Sequence, residues 1–113
     1  MGNAAKVVHV TIEQCEDRID AARSLANLLN NPDFVRVIKR DYMEREAHRL
    51  TLLLADPSCE TPQGQANVMR DLSAIAQLHS YFNTVRVAGE VAQRTKDDHE
   101  EEERIRLKEE SEE

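Results

Sequence analysis

The chain has 113 residues, enough for one domain at most and short enough to carry much surface for its volume. Tryptophan is absent, aromatics are only 4 %, and glycine and proline number three each, so the core must come from Leu, Ile, Val and Ala, and a turn-rich all-β fold is disfavoured. The net charge of −7 sits almost wholly at one end: residues 95–113 hold ten acids against four bases and carry −6, leaving −1 for residues 1–94, a balance that argues against direct nucleic-acid binding and against an anionic membrane surface.

Residues 1–7 read as a short frayed leader, with Val7, Val8 and Val10 as an extended entry or a first helical turn. The first helix is expected from about Thr11 to Leu29. Thr11 and Gln14 have the spacing of a capping box, and Glu13, Glu16 and Asp17 stand near the positive end of the helix dipole. Val8, Ile12, Cys15, Ile19, Ala22, Ala26 and Leu29 repeat with heptad spacing, which over so short a run reads as one face of a helical hairpin.

Asn31 is a suitable N-cap, and Pro32 and Asp33 suit the first turn of a second helix that runs to about Ala55. The short link makes the two helices antiparallel neighbours. Phe34, Val35, Ile38, Tyr42, Ala47, Leu50, Leu53 and Leu54 form the apolar set. Its stripe loses regularity near Asp41 and Met43, which marks a kink or break. Arg36, Lys39, Arg40, Arg45 and Arg49 gather on this helix. They read either as a docking face for an acidic partner, such as the tail of a neighbouring copy, or as an exposed face balanced by Asp41, Glu44 and Glu46.

Asp56-Pro57 ends the second helix, and Ser58-Cys59-Glu60 is a polar link that leaves Cys59 exposed. Thr61-Pro62 starts a long third helix, whose first turn Gly64 weakens. Val68, Leu72, Ile75, Phe82, Val85 and Ala92 form its stripe, widened by Met69, Ala76 and Leu78, while Ala88 and Gly89 permit close approach of another helix. Beyond Arg94 only Ile105 and Leu107 are apolar. Glu100–Arg104 and Glu102–Arg106 have the spacing of helical ion pairs, so this end reads either as a helical extension or as a disordered acidic tail.

No chemistry stands out. Glu44 and His48 share a helical spacing, but the Glu-x-x-His pairs of a dimetal bundle and the His/Cys clusters of a zinc site are missing, and His79 reads as a partly buried packing residue. Cys15 sits on the first seam as a small buried hydrophobe; neither cysteine belongs to a Cys-x-x-Cys pair, and reduced thiols are expected. There is no phosphate-binding loop, no nucleophile elbow, no long apolar span and no signal-peptide layout.

With the helices placed, Asn31-Pro32-Asp33-Phe34, Glu46-Ala47-His48-Arg49-Leu50, Leu53-Leu54-Ala55-Asp56-Pro57 and Tyr81-Phe82-Asn83-Thr84, ahead of a glutamate-rich end, resemble small helical proteins encoded by tailed bacteriophages. The resemblance covers about residues 12–113 and rests on packing and capping patterns. It implies a phage origin and a virion or assembly role, in the virion or the host cytoplasm.

The expectation is therefore an all-α fold: an antiparallel helical hairpin packed on a long third helix with a charged helical C-terminal extension. It divides into a helical domain, 1–94, and an acidic tail or helix extension, 95–113. The core is expected from Ile19, Leu25, Ile38, Leu50, Leu54, Leu72, Ile75 and Phe82. The functional expectation is a non-enzymatic, self-associating structural protein without cofactor, metal or small-molecule substrate. Its partners are other copies or other phage structural proteins, met through Arg36, Lys39, Arg40, Arg45, Met69, Leu78, Val85, Ile105 and Leu107. The alternative is a small regulatory binder of a host protein that uses its acidic tail.

Overall fold

The computed structural model describes the backbone of residues 2–112 and the side chains of residues 12–112. The chain is all-α, with no strand among the described residues. Helix α1 spans Gly2–Leu29. Helix α2 is continuous in three segments: α-helical Pro32–Phe34, a π-helical stretch over Val35–Glu46, and α-helical Ala47–Leu53. A 3₁₀ turn, Pro57–Cys59, leads to helix α3, Pro62–Glu112.

The start of α1 corrects the sequence reading. Helix reaches back to Gly2, so Thr11 lies inside it and does not cap it, and the backbone of residues 2–7 is helical, not extended. Ala4, Ala5 and Lys6 are strong helix formers, and no proline interrupts them. The side chains of Val8 and Thr11 fall outside the described residues.

The other caps follow local chemistry. Asn31 accepts from the backbone N–H groups of Asp33 (3.0 Å) and Phe34 (3.2 Å) through Oδ1, two donors that an α-helix start otherwise leaves without a partner. Asp56 accepts from the Ser58 N–H (2.8 Å) and from the Ser58 hydroxyl (2.6 Å). The Thr61 hydroxyl accepts from the Gly64 N–H at 3.0 Å.

The irregular stripe in α2 has a specific origin. The helix does not break near Asp41 and Met43; its turns widen. Phe34, Ile38, Tyr42 and Ala47 are four, four and five residues apart, a longer period than the 3.6 of an α-helix. A π-turn, with its i→i−5 hydrogen bonds, keeps such positions on one face. From Ala47 the apolar spacing returns to three and four, and so does the α-helix.

Residue contacts gather in two compact units, Ala26–Asn83 and Met1–Leu25 with Thr84–Glu113. In the first, buried Leu50, Cys59, Val68 and Ile75 form the core, with Tyr42, Met43, Ala47, Leu53, Leu54 and Leu72 packed around them. The Gln65 side-chain amide donates to the carbonyls of Leu54 (2.9 Å) and Cys59 (2.6 Å), tying the turn to the start of α3. At the far end of the same pair the rings of Phe34 and Phe82 are 5.9 Å apart and tilted by 58°. These two contacts run α2 antiparallel to the first half of α3.

In the second unit Cys15, Leu25, Gly89 and Ala92 are buried. A Cβ built on Gly89 would stand 2.4 Å from the Ala22 Cβ, so glycine is what lets α1 and α3 approach here. Of the expected core, Leu25, Leu50 and Ile75 are buried, and Ile19, Ile38, Leu54, Leu72 and Phe82 are half-buried. Ala26, counted on the first seam, is exposed. Cys59 is buried at 4 % exposure, against the expectation of an exposed loop thiol: the 3₁₀ turn folds it into the core, and Gly64 leaves room beside its sulfur.

Candidate functional site

The wide stretch of α2 carries the densest set of cations. Arg36, Arg40 and Arg45 are four and five residues apart, the same long period as the apolar stripe, so π-winding holds all three toward one side. Asp41 is their common neighbour. Arg40 donates to its Oδ1 at 3.0 Å, and Arg45 donates to the same oxygen at 3.5 Å. The Arg40 hydrogen bond holds the Asp41 carboxyl below its usual range, helped by the positive charge of Arg40, Arg45 and Arg36 and opposed by partial desolvation. Lys39 is half-buried on this stretch and Arg36 is exposed; among the described residues neither makes an ion pair.

One turn on, Arg49 grips Glu46 with two donors, Nε to Oε2 at 3.0 Å and a second nitrogen to Oε1. That hydrogen bond lowers the Glu46 carboxyl and raises the Arg49 guanidinium, which also feels Asp71 of α3. Arg40, Arg45 and Arg49 are thus balanced by Asp41 and Glu46, whereas Arg36 is exposed with less compensation.

The apolar positions singled out on α3 divide. Met69, Ile105 and Leu107 are exposed, and Leu78 and Val85 are half-buried. Tyr81, expected with Phe82 as an anchor of the long helix, and Leu52, expected buried in the row Leu52-Leu53-Leu54, are both 62 % exposed, and Val37, Val87 and Val91 stand exposed as well. Tyr81 was legible in principle. Adjacent residues on a helix point in different directions, so Tyr81 and Phe82 cannot both face one seam; Phe82 meets Phe34 and Tyr81 is left at 62 % exposure.

The C-terminal end of α3 is helical to Glu112, and its acids are mostly exposed. Gln93 donates to Asp97 at 2.9 Å. Arg106 pairs with Glu103, three residues away, in place of the anticipated Glu102–Arg106 pair, and no Glu100–Arg104 pair forms among the described residues. Asp98, Glu100, Glu101 and Glu102 are left exposed and make no ion pair there.

His48 and His79 are both exposed, which corrects the reading of His79 as a packing residue: it keeps the helical register of Val68, Leu72 and Ile75, yet its side chain is not covered. Among the described residues no group of three His, Cys, Asp or Glu side chains is placed to hold a metal ion. No helix among them is long and apolar enough to cross a membrane. Comparison with known proteins finds no matching family model, no matching curated protein and no matching solved structure.

Proposed function

We propose that this chain is a non-enzymatic structural or interaction protein that associates with itself, as a virion or assembly component of a tailed bacteriophage. The observation that supports self-association most directly is the set of large apolar side chains left exposed along α3: Met69, Tyr81, Val87, Val91, Ile105 and Leu107. A short chain that leaves so much apolar surface on one helix gains stability by covering it with a partner. The proposal keeps the architecture suggested by the sequence, an antiparallel hairpin on a long third helix with a charged helical extension, and places the protein in the virion or the host cytoplasm. The phage assignment rests on the resemblance of the capping and packing segments.

A second reading has its own support. The exposed carboxylates of Asp98, Glu100, Glu101 and Glu102, without ion-pair partners, suit a regulatory protein that presents an acidic helix to a basic site on a host protein. Quantitative proteomics of purified particles separates the two. The structural reading expects this chain at fixed copy number per particle; its absence from particles, with capture of one host protein from infected cells, favours the regulatory one. Light scattering tests self-association, and a strictly monomeric chain that also fails to join particles rules against the first reading.

A further inference from the structure

We infer that the outward face of the wide α2 segment, formed by Arg36, Arg40 and Arg45, is the docking site for the acidic helical run 97–103 of a second copy of this chain. The inference rests on the self-association reading and names the surfaces that meet.

Three observations carry it. The first is complementarity. Arg36 makes no ion pair among the described residues, Arg40 and Arg45 share the one carboxylate of Asp41, and Asp98, Glu100, Glu101 and Glu102 make no ion pair there. The chain thus holds opposite charges that its own fold compensates only in part. The second is the strain within the acidic run. Asp98–Glu102 and Asp97–Glu101 are like-charged pairs at i,i+4, and Asp98–Glu101 and Glu100–Glu103 are like-charged pairs at i,i+3, each unfavourable to the helix. A cationic surface laid along this run relieves that repulsion.

The third is geometry. An α-helical segment would turn Arg45 away from Arg36 and Arg40. The i→i−5 winding over Val35–Glu46 brings all three to one side, and the Asp41 carboxyl registers the positive charge of each. Asp41 neutralises only part of that cluster, since one carboxylate faces three guanidinium groups.

The test is charge exchange in the full-length chain. Arg36→Glu/Arg45→Glu reverses the face, and Glu101→Lys/Glu102→Lys reverses the run. Sedimentation equilibrium at low salt measures the dissociation constant of each variant alone and of the two mixed, and far-UV circular dichroism verifies their helix content. The milder Arg36→Gln/Arg45→Gln and Glu101→Gln/Glu102→Gln pairs provide the same comparison without charge reversal. The expected result is that each reversed variant self-associates about tenfold or more weakly than the wild type, that their mixture recovers most of the loss as a heteroassembly, and that added salt narrows the difference. If the wild type self-associates and the variants do so equally well, the charge contact is overturned and the self-association reading stands. If the wild type is monomeric, both fall together.

Discussion

Gly89 and Ala22 meet so closely that neither helix has room for one more carbon: a Cβ on Gly89 would lie 2.4 Å from the Ala22 Cβ and 3.4 Å from the Arg18 carbonyl oxygen. Mid-helix glycine is normally a cost of about 1 kcal/mol relative to alanine. Here the close approach outweighs it. Gly89→Ala is expected to destabilise the protein by about 1–3 kcal/mol through overpacking, less the gain in helix propensity. Ala22→Gly in the same chain should restore most of the loss, since it removes the opposing carbon. Urea midpoints of the two single variants and the double variant measure this coupling.

Leu50 is the centre of the buried set in the 26–83 unit, at 3 % exposure. Leu50→Ala should cost about 2–5 kcal/mol, the range for removing a buried leucine. Phe82 is half-buried and holds Phe34 at its edge, so Phe82→Ala should cost less than Leu50→Ala despite the larger side chain. Thermal or chemical denaturation of both variants tests the order; the reverse order would move the centre of the core toward the Phe34–Phe82 end.

Asn31 caps α2 through two backbone N–H groups. Asn31→Ala should lose about 0.5–2 kcal/mol, and Asn31→Ser, which keeps a cap acceptor, should lose far less. Amide hydrogen exchange at Asp33 and Phe34 should quicken in the alanine variant and stay near the wild-type rate in the serine variant.

Asp41, Glu46 and Asp56 share one pH signature. The Arg40, Arg49 and Ser58 side-chain hydrogen bonds respectively are the leading cause that holds their carboxyls below the ordinary value in the folded chain. A carboxyl with a depressed folded pKa contributes stability that is fully present above its unfolded pKa and is lost as pH falls through the folded one. Stability should therefore hold down to the usual carboxylate range, about pH 4, and decline below it. Urea midpoints between about pH 6 and about pH 2 follow the decline, and Asp41→Asn/Asp56→Asn should flatten it.

The sequence carried the fold class and most boundaries because these depend on neighbours. Asn31-Pro32, Asp56-Pro57 and Thr61-Pro62 act within a few residues, and each is found doing so. The irregular stripe around Asp41 was also visible, but an α-helix ruler turned a widened period into a kink. Two errors came from long-range packing. Cys59 looked like a loop thiol, and its burial depends on how the 3₁₀ turn and Gly64 meet. His79 looked internal because it lies in register with the apolar stripe, four residues after Ile75 and three before Phe82, yet its side chain is exposed. For the candidate site, the basic residues were legible as a list. Which of them Asp41 and Glu46 occupy was not, because Arg40, Arg45 and Arg49 all have carboxylates at plausible helical spacing, and only the wound geometry selects the partners.

The two buried thiols fall one to each compact unit, Cys15 in that of residues 1–25 with 84–113 and Cys59 in that of residues 26–83. A thiol reagent reaches either one only when the surrounding helices part. With Cys15→Ala and Cys59→Ala each leaving a single reactive sulfur, alkylation under native conditions becomes two separate clocks, one timing the opening of residues 1–25 with 84–113 and the other that of residues 26–83. Equal rates that match global unfolding would mean that the chain opens as one cooperative body; unequal rates would rank the two units by local stability without any probe being added to the molecule.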